Sequence, residues 1–217
     1  LNGSTADGYN PYRVTRDGFE WEVPEPDNPW SNIGYWGDHQ IVYLLKLLEL
    51  STSHHPGALE ELLSRDLFVS VNVPYRIKPY GALLSDPRDT IEFDAALDQA
   101  LKERMSAVGF DGYLWRSGDD LHRVNLCEKL LIPVLAKLSS FIPEAGIWMN
   151  TQRPEWNDAN NALAGGGVSV VTLCYLRRYL TFLADLLTKK FGTFLPVSTK
   201  VADWFGHLEE TFEAARP

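Results

Sequence analysis

Residues 150–163 read Asn150-Thr151-Gln152-Arg153-Pro154-Glu155-Trp156-Asn157-Asp158-Ala159-Asn160-Asn161-Ala162-Leu163, placing two carboxylates, one arginine, one tryptophan and four asparagines in fourteen positions. That mixture suits a sugar better than a core: a pyranose has apolar C–H faces that stack on a flat aromatic and hydroxyls that pair with side-chain donors and acceptors. Cleaving a glycosidic bond needs an acid to protonate the departing oxygen, and inverting enzymes set a nucleophile on the opposite face. Glu155 and Asp158 are both candidates for that acid. If residues 155–158 open a helical turn, the two carboxyls project to the same side, and their repulsion favours keeping one of them protonated. The plainer alternative has Asp158 or Asn157 capping a short helix through Leu163, with no chemistry attached.

A second polar stretch, Gly34-Tyr35-Trp36-Gly37-Asp38-His39-Gln40, comes immediately before Ile41, Leu44, Leu45 and Leu48 at helical spacing. Asp38 stands where a first-turn acid is favoured by exposed amides and the helix dipole. Two separated matches give these stretches a common reading. The run Glu155-Trp156-Asn157-Asp158 with Asn160, followed by glycines and a long apolar helix, resembles the Asp-Trp-Asn-Asp-Gly motif of the inverting cellobiose and chitobiose phosphorylase family. Gly37-Asp38-His39, about 120 positions earlier, is similar to that family's Asp-Asp-His segment. The resemblance implies an (α/α)6 toroid with Asp158 as general acid and Asp38 as a carboxylate that holds the transferred sugar. Trp36, His39, Arg153, Trp156, Asn157 and Asn161 would then complete the substrate cleft, with inorganic phosphate as a candidate co-substrate and no bound cofactor or metal.

The elements that must position these residues are mostly helical. Apolar residues recur at three and four across Ile91–Val108, Leu126 to about Ser140, Val168 to about Lys190 and Ser198 to about Ala215, with a shorter helix at Ala58–Ser64. Pro133 would kink the second of these or start a new segment. Extended stretches are expected at Phe19–Val23 and Leu67–Ile77, and a small hairpin around Gly118, while Phe141–Met149 reads as loop. Gly165-Gly166-Gly167 lacks the lysine and spacing of a phosphate loop, so close backbone packing or a flexible turn beside the ligand is the expectation. His54 and His55, with no second ligand cluster, read as solvated.

The expected fold class is therefore mostly α: part of an (α/α)6-toroid-like helical domain with minor β-hairpins in its loops. Residues 1–37, rich in aromatics, proline and glycine, form an N-terminal loop region, and residues 38–217 form one helical domain. A full toroid needs more chain than the 217 residues here, so the sequence reads as a fragment of a larger protein, inactive on its own, whose partners are an oligosaccharide and the rest of the parent polypeptide. The net charge of −9 and a pI near 5.0 disfavour nucleic acid and anionic membrane surfaces as partners. Two cysteines in apolar helical patterns indicate no disulfide framework and a reducing, cytoplasmic setting. The alternative function is a non-catalytic carbohydrate-binding or structural helical domain.

Overall fold

The computed structural model describes residues 1–10, 13–16, 18–21, 40–149, 165–189, 192 and 194–216. In chain order these form the antiparallel strands β1 (Arg13–Thr15) and β2 (Gly18–Glu20), a π-helical turn at Gln40–Leu44 running into α1 (Leu45–His54), and the short helix α2 (Ala58–Leu62). Strands β3 (Phe68–Val69) and β4 (Tyr75–Ile77), helix α3 (Tyr80–Ser85), strand β5 (Ile91–Phe93) and helix α4 (Ala95–Val108) follow. A 3₁₀ turn at Gly109–Tyr113 leads to β6 (Arg116–Ser117), β7 (Asp120–Leu121), β8 (Arg123–Val124) and α5 (Leu126–Leu138). The chain closes with β9 (Phe141–Ile142), β10 (Gly146–Trp148), β11 (Val168–Ser169), α6 (Val170–Thr188) and α7 (Thr199–Ala214).

The toroid expectation is corrected by this architecture. The described chain is about 54 % helical with 15 % strand, and its seven α-helices among the described residues do not build a ring of twelve. Strands pair as β1-β2, β3-β8, β4-β5, β6-β7 and the three-stranded β9-β10-β11. The physical reason lies in a second core: Tyr9, Val71, Val73, Tyr75, Ile91, Leu101, Tyr113 and Leu114 bury one another between short strands and α4, where a pure helical layer would have needed helix-period apolar faces. Residues 1–9 belong to this core, because the Tyr9 ring stacks on Tyr75 with centroids 5.5 Å apart and Val71 N donates to the Ser4 carbonyl at 3.1 Å.

The first core is helical. Ile41, Leu45 and Leu48 meet Leu126, Leu130 and Val134 of α5 and Leu176, Tyr179, Leu183 and Leu186 of α6; each such leucine contributes about 1.5–3 kcal/mol on full burial. On the other side of α5, Ile132 and Leu135 receive Val201 of α7. Helix α5 is thus buried on nearly all sides, with Glu128, Lys129 and Lys137 among its buried residues, and it runs unbroken through Pro133 rather than splitting there.

Local sequence explains where the elements begin. Asp94 accepts from Leu97 N at 2.9 Å and so caps α4, which cuts the expected helix at Ile91–Val108 into a strand and a helix. Asn125 caps α5 by accepting from Glu128 N at 3.0 Å. Ser169 caps α6 by accepting from Thr172 N at 3.1 Å. The hairpin around Gly118 forms as β6-β7, with Gly118 at φ 65 supplying the positive backbone angle of the two-residue turn. Phe141–Met149 departs from the loop expectation, since it supplies β9 and β10.

Candidate functional site

Asp38, Trp36, His39, Arg153, Glu155, Trp156, Asn157, Asp158 and Asn161 all lie outside the described residues. What the structure does describe is the frame from which those two stretches depart. Residues 150–164 leave from one sheet. Trp148 pairs with Val168 and Ile147 with Ser169 across β10-β11, Met149 N donates to the Gly167 carbonyl at 3.0 Å, and Gly165 N donates back to the Met149 carbonyl at 2.7 Å. The Trp148 indole N–H adds a third tie, to the Gly165 carbonyl at 3.1 Å. Chain on either side of the stretch is therefore hydrogen-bonded to itself, and β10 packs on α6, which follows β11 directly.

Gly165 is the residue on which this closure depends. Its φ of 72 lies in the left-handed region, and a Cβ built there would come within 2.0 Å of the Pro87 carbonyl oxygen, so only glycine fits. The expectation of close backbone packing at the glycine triplet is met at this position. Its neighbour is the loop Asp86–Asp89, held by Arg88 N donating to Asp86 Oδ1 at 3.0 Å and by the ion pair of Lys78 with Asp89. Asp86-Pro87 is a turn signal, but nothing local in it points to a partner almost eighty positions away.

The stretch that ends at His39 enters the fold through the π-helical turn at Gln40–Leu44, a form that occurs mostly as single turns and often near functional sites. Ile41 in that turn is fully buried in the helical core, and the turn packs against both α1 and α6. Cross-helix contacts fix the relation between these helices. The Lys46 ammonium sits 5.8 Å from the Tyr175 ring centre. Arg178 donates from Nε and Nη2 to the two oxygens of Glu49 at 2.7 and 2.5 Å, and Lys189 reaches Glu60 of α2 at 2.6 Å. Both ion pairs join residues 129 positions apart, and the Lys46–Tyr175 contact keeps the same offset, so α1 and α6 run side by side in the same direction. Their beginnings, next to Gln40 and next to Val170, share one end of the helical layer.

The described residues hold two other grooves. One, of about 360 Å³, lies along α1 and α6 between Glu49, Cys174, Arg177, Arg178 and Asp185; the other, of about 450 Å³, surrounds the β6-β7 hairpin with Arg116, Asp119, Asp120 and Arg123. The first groove sets the Phe182 ring beside the carboxylates of Glu49 and Asp185, with Glu49 held by Arg178, and the second contains no aromatic ring; sugar cleavage needs a carboxyl that can deliver a proton. Among the described residues no group of three or more His, Cys, Asp or Glu side chains is placed to hold a metal ion, and no helix among them is long and apolar enough to cross a membrane. No protein-family model matches the chain, and no curated protein matches it.

Proposed function

We propose that this chain carries a carbohydrate site assembled from the stretches around Trp36–His39 and Gln152–Asn161, the acid-bearing part of an inverting glycoside hydrolase or phosphorylase acting on oligosaccharide. Asp158 is the proton donor, Asp38 holds the sugar that is transferred, and Trp156 supplies a stacking face, with Glu155 the second candidate for the acid. The single observation that carries this reading is the parallel course of α1 and α6. Two stretches 120 positions apart in sequence each lead into the start of a helix, and the two starts are neighbours. Asp38 is two residues from Gln40, and two residues of chain reach at most about 7 Å. A cytoplasmic setting goes with this reading, since both Cys127 and Cys174 are free thiols.

The test is turnover by the full-length protein on a panel of β- and α-linked gluco- and N-acetylglucosamine oligosaccharides, with and without inorganic phosphate. Release of a sugar of inverted anomeric configuration supports the proposal, and dependence on phosphate separates phosphorolysis from hydrolysis. Binding of an oligosaccharide without turnover would replace it with the non-catalytic reading. Neither binding nor turnover across the panel would sink both.

A further inference from the structure

Lys129 is a lysine in the wrong place for an ordinary ion pair. It lies on α5, only 1 % exposed, and its amino group is within hydrogen-bond distance of the Ser70 hydroxyl at 3.0 Å, the Ser4 hydroxyl at 3.1 Å and the Ser4 carbonyl at 3.4 Å. Among the described residues no carboxylate pairs with it. Glu128, the adjacent residue, has both oxygens engaged at the other side of the helix, accepting from Ser198 N at 2.6 Å and Ser198 Oγ at 2.9 Å. The α-amino group of Leu1 also bears on Lys129, and the stretch carrying Ser70 presents the Ser70 hydroxyl to it. Burial of an unpaired ammonium is strongly disfavoured unless the group loses its charge.

The hydrogen-bond set fits the neutral amine. Ser4 Oγ donates to the Leu1 carbonyl at 2.9 Å and so presents a lone pair, as does the Ser4 carbonyl. An uncharged amine has two N–H groups for these two acceptors and one lone pair, which the freely rotating Ser70 hydroxyl can fill by donating to it. Every polar atom is then satisfied without a buried charge. Two of the three partners come from residues 1–9, the segment that places Tyr9 in the second core. The group that holds the segment down is therefore one whose charge state depends on whether the segment covers it.

We propose that Lys129 is a protonation-gated pin: uncharged, it fastens residues 1–9 onto the fold, and taking up a proton loosens them. Undocking the segment opens the Lys129 amine to water, where it regains an ordinary lysine's affinity for protons, so docking releases a proton. Burial pushes the docked amine down to about 7, with Glu128 opposing the shift; an exposed lysine titrates near 10.4. Between these values the undocked form binds more protons, so docking strengthens as pH rises from about 7, by up to tenfold per unit, and levels off below it.

The Val71 amide reports on this directly, because it donates to the Ser4 carbonyl and loses that bond when the segment lifts. Its hydrogen-exchange protection factor, which removes the intrinsic pH dependence of exchange, is measured from pH 6 to 9. The expected result is a rise of about fiftyfold between pH 7 and 9 in the unaltered protein, and a much shallower profile in Lys129→Met. A flat profile in the unaltered protein, or an equal slope in the variant, would overturn the proposal. Should Lys129→Met not fold, direct NMR titration of the Lys129 side chain decides it: a midpoint at 10 or above refutes the pin, and one near 7 supports it.

Discussion

The Gly165 amide donates to the Met149 carbonyl at 2.7 Å, and through this bond the two sides of residues 150–164 leave the fold together. Trp148 reinforces the closure with its indole N–H on the Gly165 carbonyl, and Pro87 covers it from outside. A rigid frame on both sides of a run dense in polar residue types is what a binding site on a scaffold requires.

Gly165→Ala tests the frame. The left-handed φ costs about 1–2 kcal/mol for a residue with a Cβ, and the overlap with Pro87 adds about 1–3 kcal/mol of overpacking. Urea unfolding should show a loss of about 2–5 kcal/mol, with oligosaccharide affinity falling in parallel. A change under about 0.5 kcal/mol would mean that the backbone approach at Gly165 is not maintained in solution.

Glu128 and Ser198 test how the last helix is held. The Glu128 carboxylate accepts from both the amide and the hydroxyl of Ser198, and Asn125 Nδ2 donates to the Pro196 carbonyl at 2.5 Å, so the start of α5 pins the start of α7. Each hydrogen bond to a buried carboxylate is worth about 1.5–3 kcal/mol. Glu128→Ala should cost about 3 kcal/mol or more in chemical denaturation, and Ser198→Ala, which keeps the amide bond, about 1 kcal/mol. Equal costs for the two would place the anchoring in the hydroxyl alone.

Much of the helical frame was legible in the sequence, and the reason is periodicity. Leu126, Leu130 and Val134, or Leu176, Tyr179 and Leu183, repeat often enough within one element to declare a buried face. The strands were harder, because β9 and β11 are two residues long and show no alternation. Strand β9 pairs locally with β10, but the pairing of β11 is set by contacts between Ile147 and Ser169 across the 150–164 stretch, which a local reading cannot see. The toroid failed for the same reason: Val71, Val73 and Tyr75 look like a connection between helices and Ile91 like the start of one, yet they close a core of their own. At the candidate site, residue types at Asp38 and Asp158 suggest a chemistry but lie outside the described residues, whereas the Pro87–Gly165 contact that braces the frame depends on a tertiary approach with no sequence pattern.

The two thiols should behave differently. Cys174 is exposed and Cys127 buried, and burial, with Glu128 adding to it, pushes the Cys127 thiol up to about 11. Only the thiolate reacts. At pH 8 a disulfide reagent should therefore label Cys174 within minutes and leave Cys127 untouched, while 8 M urea exposes both. Rapid labelling of two thiols in the folded protein would contradict the burial of α5.

The most direct test of the central claim compares Asp158→Asn on two substrates in the full-length protein. An oligosaccharide needs its leaving group protonated, whereas a glycosyl fluoride of the same donor sugar leaves without that help. The account predicts that Asp158→Asn lowers oligosaccharide turnover by about 10²–10⁴-fold while fluoride cleavage stays within about tenfold of the unaltered protein. Unchanged oligosaccharide turnover, or equal loss on both substrates, would remove Asp158 from the role of acid.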